Sequence, residues 1–271
     1  MFIIIHFCPS KPFGGRVVVI IADRDGYDMT DLEQFFGGRG LTALAFSGGV
    51  DSTYLLHEAV RLGADIVPYY VSTEFCRMGD RDFADRMCGL AGVSMRVLEV
   101  SLLDDPQIRS NTPDRCYLCK RRILSAVLMA SRLDGCRCVI DGTNASDDES
   151  DRPGMRALRE LGILSPLREA GMTKDMIREA SRKAGIPTWD MPSNSCLATR
   201  ISFGTPIDRG CLARVEEAED AVKALGFPDL RVRTDGTDAR VEFRSRRGEA
   251  LERRSEVMAA VEPFFNDVTI E

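Results

Sequence analysis

Between Leu41 and Phe46 the chain turns apolar and then breaks into Ser47-Gly48-Gly49. A short apolar run closed by a glycine turn predicts a buried strand. From Asp51 onward the period changes, with Leu55, Leu56, Ala59 and Leu62 at helical spacing. The alternation then repeats. Ile66 to Val71 and Met95 to Val100 are the next strand candidates, separated by a helical stretch around Arg81 to Leu90. Cys116 to Leu133 predicts a long helix, and Cys138 to Gly142 a strand that ends in a glycine turn. Strands alternating with helices imply parallel pairing and a doubly wound α/β domain, whose ligands sit beyond the carboxyl ends of the strands. Ser47 and Gly142 both fall at such ends.

The flanks read differently. Residues 1–27 form an extension in which Val17 to Ala22 is strand-like, and Asp28 to Phe36 predicts a short helix with Thr30 or Asp31 as its cap. After Arg200 a helix is expected over Asp208 to Leu225. Leu230 to Thr234 and Ala239 to Phe243 then alternate with period two around Asp235-Gly236-Thr237-Asp238, a hairpin signature. A last helix runs from about Gly248 to Val261. The boundary is placed near 201–207, at Gly204-Thr205-Pro206. The expected organisation is an extension (1–27), a nucleotide-binding domain (28–203) and a small C-terminal α+β domain for substrate binding or oligomerisation (204–271).

Composition narrows the partners. With 271 residues, 44% hydrophobic and 29% charged, the chain is an ordinary globular protein. A net charge of -6 argues against generic nucleic-acid binding. No apolar run approaches the roughly 20 residues that span a bilayer. Nine cysteines, an odd number in a chain this long, fit a reducing compartment and core, metal or catalytic use. A cytoplasmic location is expected.

Ser47-Gly48-Gly49-Val50-Asp51-Ser52 sits where a strand meets a helix. Its glycines let successive amides aim at an anion, and the helix N-terminus adds partial positive charge. Ser47 and Ser52 can donate to phosphate oxygens, and Asp51 can hold magnesium or order the loop. An ordinary strand-to-helix turn also favours glycine and serine, but the full six residues match the signature of the PP-loop ATP pyrophosphatases. There is no Gly-Lys-Ser/Thr ending as in a Walker loop.

Cys116 and Cys119 lie one turn apart at the start of a predicted helix, beside Lys120, Arg121 and Arg122, a setting that favours thiolates. Cys196 lies in Pro192-Ser193-Asn194-Ser195-Cys196-Leu197-Ala198-Thr199-Arg200, which reads as a loop. Together they suit three ligands of a [4Fe-4S] cluster; zinc ligands or plain helix residues are the other readings. Cys136 and Cys138 enter a strand and are expected to be buried, and His57 is expected to be structural. Trp189 is expected to pack the Cys196 loop. On the hairpin, Arg231 and Arg233 share one face, with Arg240, Glu242 and Arg244 on the second strand. Such a face suits phosphate or carboxylate, although most surface arginines are simply solvated.

Taken together, the chain from about residue 28 resembles the LarE family of ATP-dependent sulfur transferases. The resemblance rests on the phosphate loop, Asn111 to Lys120, Asp141 to Asp148, Arg152-Pro153-Gly154, Ser165-Pro166-Leu167, Pro192 to Arg200 and the hairpin. Asp235 departs from it, standing where many relatives have histidine. The resemblance implies adenylation of a carboxylate of pyridinium-3,5-biscarboxylic acid mononucleotide and its conversion to a thiocarboxylate for nickel-pincer nucleotide synthesis. It implies ATP and Mg2+ at Ser47, Gly48, Gly49, Asp51 and Ser52, with adenine near Val71, Ser72 and Gly142. Arg200, Arg231, Arg233 and Glu219 become substrate contacts, Arg231 and Arg233 for its phosphate. Sulfur comes either from Cys196 or from a cluster on Cys116, Cys119 and Cys196, and a homo-oligomer is expected. A tRNA thiolase shares the loop and the three cysteines, although tRNA is not the expected partner. A nucleotide-binding regulatory module without turnover is the non-enzyme alternative.

Overall fold

The computed structural model describes residues 30–147, 153–192 and 195–271. The extension at 1–27 with its strand-like Val17 to Ala22, and Asp148, Arg152, Ser193 and Asn194, lie outside the described residues. Strands β1 (Thr42–Ala45), β2 (Ile66–Ser72), β3 (Arg96–Glu99) and β4 (Cys138–Asp141) form an all-parallel sheet in the order β3-β2-β1-β4. The chain steps outward from β1 through β2 to β3, then returns to the far side of β1 for β4. That reversal opens a crevice beyond the carboxyl ends of β1 and β4. Ala45 is in register with Asp141, so Ser47 and Gly142 leave the sheet side by side.

The surrounding helices are α1 (Thr30–Phe36), α2 (Val50–Arg61), α3 (Asp80–Leu90), α4 (Pro106–Arg109), α5 (Arg115–Leu133), α6 (Pro153–Leu161), α7 (Pro166–Glu169) and α8 (Lys174–Lys183). Strand periodicity sorts their partners. Leu44, Tyr70 and Ile140 pack with Leu55, Leu56, Met87 and Ile177 on one side of the sheet. Ala43, Tyr69 and Val139 pack with Leu124, Val127 and Leu158 on the other. The expected α/β fold with a parallel central sheet is therefore present.

The C-terminal part contains α9 (Arg209–Ala224), an antiparallel pair β5 (Leu230–Thr234) and β6 (Ala239–Phe243), α10 (Arg247–Glu252), α11 (Arg254–Val261) and β7 (Val268–Ile270) parallel to β6. Two details differ from the sequence reading. The single last helix is broken at Arg253, whose backbone leaves helical geometry (φ -99, ψ 26) while its guanidinium donates to Leu225 O and Glu256. β7 is too short for its periodicity to register.

One core runs through both parts, joining Phe75, Leu102 and Ile108 to Leu197, Ile207, Leu212, Val215, Val232 and Val241. Buried Asn111 fastens the connection between them. Its Nδ2 donates to the carbonyls of Ile201, Ser202 and Thr205. Its φ of 55 is left-handed, a conformation asparagine tolerates better than most residues. Among the described residues no helix is long and apolar enough to cross a membrane.

Gly142 is fixed by space: a Cβ there would stand 2.9 Å from Ser52 N and 3.1 Å from Ser52 Cα. Gly142→Ala is expected to destabilise the protein by about 1–3 kcal/mol by pushing the phosphate loop aside, and to weaken ATP binding. Thermal melts and calorimetric titration check this; native ATP affinity would show that the loop does not need so close an approach.

Candidate active site

The phosphate loop closes on itself. Gly48 is left-handed (φ 74), and a side chain there would crowd Ala84 at 3.1 Å. The Ser47 and Ser52 hydroxyls lie 3.1 Å apart. Ser47 N–H donates to Ser52 Oγ, and Ser52 Oγ–H donates to Gly49 O at 3.2 Å. Gly49, the N-cap of α2, supplies no capping side chain. The first-turn amides are thus left to an anion, which the helix dipole also favours.

Asp51 stands in that first turn. Its Oδ2 accepts from Lys174 Nζ at 2.6 Å, while its Oδ1 is buried without a hydrogen-bond partner. An orphaned carboxylate oxygen beside a phosphate loop fits a hard divalent cation such as Mg2+. Lys174 begins α8, the helix end where a cation is least favoured. It is held there because its N–H donates to Ser146 Oγ and Thr173 caps the helix through Met176 N–H. Sequence reasoning missed Lys174. The available signal was a lysine directly after a capping threonine, a costly position unless an anion lies within reach.

Asp141, at the end of β4, fastens the loop beneath. It accepts from Thr143 N–H, Thr143 Oγ1 and Ser165 Oγ, with Lys120 Nζ at 3.5 Å. Gly142 packs against Ser52 as described. Ser72 is the last residue of β2, its carbonyl accepting from Val100 N–H. Both expected adenine contacts therefore lie on the carboxyl edge of the sheet.

Cys116 and Cys119 lie half-buried in the first turns of α5, and Cys196 is exposed. Burial pushes the Cys119 thiol up to about 12, with neighbouring Cys196 adding to the effect. The crowded cleft also raises the Cys196 thiol, opposed by Arg115 and reinforced by Cys116. The expectation that the helix end favours thiolates fails for Cys119, where burial outweighs it. Among the described residues no three His, Cys, Asp or Glu side chains are gathered as a metal-ligand set. In chemistry the donors, three thiols from two segments, suit an iron–sulfur group. Trp189 is 39% exposed, and its carbonyl accepts from Arg178.

The turn carrying Cys196 is held by arginines. Arg200 donates to Ser195 O at 2.8 Å, Ser195 Oγ at 2.6 Å and Cys196 O at 3.4 Å. Arg115 donates to Ala198 O at 2.7 Å, and Arg233 to Thr199 O at 2.9 Å. Arg200 in turn lies against Glu219 at 2.8 Å, both side chains being under 5% exposed. Burial alone would raise Glu219, but Arg200 and Arg77 outweigh it and hold the carboxyl below its ordinary range. Among the expected substrate contacts, then, Arg200, Arg233 and Glu219 are engaged with protein atoms. Arg231 differs: its side chain makes no hydrogen bond or ion pair among the described residues. Glu242, across from it in register, is taken by Arg233 at 2.7 Å and Arg240 at 3.1 Å. Arg77, Arg115 and Lys174 are the site residues that sequence reasoning did not single out.

The chain matches no family model. It is 33% identical over 204 residues to the pyridinium-3,5-bisthiocarboxylic acid mononucleotide synthase of Lactiplantibacillus plantarum, spanning 74% of this chain and 73% of that protein. Over 216 residues it is 32% identical to an uncharacterised Synechocystis protein, spanning 79% and 81% of the two. The tRNA-specific 2-thiouridylase MnmA of Pseudothermotoga lettingae is 30% identical over 179 residues, 53% and 51% of the two chains. Parallel sheet, phosphate loop and relatives define an ATP-using sulfur transferase of the PP-loop class. Within that class, the chain belongs to the LarE family.

Lys174→Ala should lower ATP-dependent pyrophosphate release at least ~100-fold, as loss of one aligned charge donor does in a preorganised site. Asp51→Ala should abolish release, and both variants should melt near the wild-type temperature. Wild-type pyrophosphate release by either variant would remove that residue from the nucleotide site.

Proposed function

We propose that this chain adenylates a carboxylate of pyridinium-3,5-biscarboxylic acid mononucleotide and converts it to a thiocarboxylate for nickel-pincer nucleotide synthesis. The observation that carries this reading is the unpaired Arg231 side chain, two residues along β5 from the Arg233 that holds the cysteine turn. Burial, Arg244, Arg200 and Arg233 all pull its guanidinium below its ordinary range. A cation so crowded by cations is a place where a substrate phosphate is stabilised. Arg233, two residues along the same strand, touches the turn of Cys196, so a mononucleotide anchored at Arg231 reaches toward that sulfur.

ATP lies along Ser47 to Ser52, with adenine near Val71, Ser72 and Gly142. Asp51 Oδ1 would hold Mg2+, which would neutralise phosphate charge. The substrate carboxylate attacks the α-phosphate and pyrophosphate leaves, giving an acyl adenylate. A sulfide-level sulfur then attacks the acyl carbon and AMP leaves, either as sulfide directly or as the Cys196 thiolate, whose Cβ–Sγ bond then breaks by elimination to leave dehydroalanine. Adenylation supplies the leaving group that a carboxylate lacks. Cys116, Cys119 and Cys196 would hold a [4Fe-4S] cluster, which would supply a bound sulfide as the transferred atom. Residues 28–203 serve the nucleotide and 204–271 the substrate and a homo-oligomer, in the cytoplasm. A tRNA thiolase reading fits the half-length match to MnmA; the net charge of -6 disfavours it.

Incubation with ATP, Mg2+ and the mononucleotide, read by mass spectrometry, tests the proposal: a mass gain from replacing oxygen by sulfur is expected. Binding of tRNA with no such product would favour the thiolase. Arg231→Ala should raise the mononucleotide KM by about 30-fold or more, equivalent to about 2 kcal/mol, and leave ATP affinity intact. Arg233→Ala should lower kcat as well, because it also releases Thr199. Weaker ATP binding with an unchanged mononucleotide KM would overturn the Arg231 role.

The sulfur source has its own test. Anaerobically purified protein should be brown, lose its iron when Cys116, Cys119 or Cys196 becomes Ser, and turn over repeatedly with added sulfide. Conversion of Cys196 to dehydroalanine after one turnover, without iron, would make Cys196 itself the donor.

A further inference from the structure

The loop that follows β2 is fastened along α9. Arg77 Nη1 donates to Glu219 Oε2 at 2.5 Å and Nη2 to Asp220 Oδ1 at 2.9 Å. Next to it, Met78 N–H donates to Glu216 Oε1 at 2.7 Å. Arg209 at the start of α9 reaches back to Glu74 at 2.8 Å. The same loop touches the cysteine turn directly, since Leu197 N–H donates to Phe75 O at 3.0 Å. Arg77 therefore lies between the end of β2 and the sulfur-bearing turn.

Glu219 is the shared partner. Oε2 of its carboxylate takes Arg77, Arg200 spans both oxygens, with Nε on Oε1 at 2.8 Å and Nη2 on Oε2 at 3.4 Å, and Val232 N–H also donates to Oε1 at 3.1 Å. All three side chains are nearly buried: Arg77 is 9% exposed, Glu219 1% and Arg200 4%. Within such a group the position of one guanidinium depends on the charge that fixes its carboxylate partner. Without Arg77, Glu219 keeps one arginine instead of two and is free to tilt toward it. Arg200 would tilt in response, and its other nitrogen is the one that holds Ser195 O, Ser195 Oγ and Cys196 O.

We infer that Arg77 is a positioning residue for Cys196, acting through Glu219 and Arg200 on the carbonyls that flank the thiol. It makes no contact with the phosphate loop among its hydrogen bonds and ion pairs, so its effect falls on the sulfur step and spares adenylation. The exposed arm to Asp220, 58% open to solvent, is incidental to this role.

The inference rests on Cys196 being the site of sulfur transfer, so its test has an arm that does not depend on the reaction. In protein freed of iron by a chelator, Cys196 alkylation by iodoacetamide is followed by peptide mass spectrometry and expressed relative to Cys116 in the same protein. Arg77→Ala should shift that ratio about threefold or more by loosening the turn locally. Arg77→Lys, which keeps a charge on Glu219, should restore most of it, and Asp220→Asn should leave it unchanged. A merely structural role would instead raise labelling at every cysteine, buried Cys88 and Cys211 included, with the ratio unmoved; that result overturns the inference. If Arg77→Ala does not fold, Arg77→Gln carries the same expectation. In the second arm, Arg77→Ala should lower thiocarboxylate formation about tenfold at unchanged mononucleotide KM while pyrophosphate release stays near wild type. An equal fall in both products would also overturn it. Wild-type protein that makes no thiocarboxylate would defeat the proposed reaction while leaving the labelling result standing.

Discussion

The carboxylate of Glu219 is the point on which the arrangement around the thiols depends. It is buried, and two arginines from different segments, Arg200 buried and Arg77 nearly so, close on it. A charge this far from water survives only if it is paired and hydrogen-bonded. Removing the Glu219 carboxylate would leave two arginine charges without it, whereas removing one arginine leaves the carboxylate paired to the other. Geometry is thereby fixed rather than merely favoured: Arg77 ties the loop after β2, Val232 ties β5, and Arg200 ties the cysteine turn. Because the folded carboxyl lies below its ordinary value of 4.5, its stabilisation is fully present above that value. It is lost as the pH falls through the depressed folded value.

The nucleotide half obeys a different constraint, that of close approach. Strand order alone puts Ser47 and Gly142 next to each other, and the missing side chain at Gly142 lets the two backbones touch. Asp141 then anchors the strand end through Thr143 and Ser165, while the chain beyond carries Lys174 back over Asp51. No buried charge pair is needed here, only a reversal of topology and a glycine. The two halves meet at α5, whose first turns carry both cysteines and Lys120, the latter facing Asp141.

These differences explain what was legible in the sequence. Periodicity found β1 to β6 and α2, α3, α5 and α9, because each carries an apolar face several residues long. It did not find β7, three residues long, or the break at Arg253, which side-chain hydrogen bonds to Leu225 and Glu256 create. The phosphate loop was legible because its chemistry lies in consecutive residues. The cysteine trio was legible as residues, but not the burial that pushes the Cys119 thiol up, since neighbours across the fold set it. Arg77 and Lys174 were silent for the same reason. Their partners lie 142 and 123 positions away along the chain, and nothing local marks an arginine or lysine as taken.

That last point bears on how substrate is held. Arginine-rich faces are easily read as ligand sites, yet an arginine already bonded to a carbonyl or carboxylate has little left to offer an anion. Arg200 is committed to Glu219 and the Ser195–Cys196 carbonyls, and Arg233 to Glu242 and Thr199. Arg231 remains uncommitted because Glu242, the carboxylate facing it, is shared between Arg233 and Arg240. Burial and repulsion from Arg244, Arg200 and Arg233 then act on a guanidinium whose charge is only partly offset by Glu219, which Arg77 and Arg200 already share. On the proposed function, a substrate phosphate would relieve that repulsion on binding. Two neighbouring positions on β5 thereby divide the work. Arg233 holds the turn of the thiol, and Arg231, two residues along the same strand, is the phosphate anchor of the proposed function.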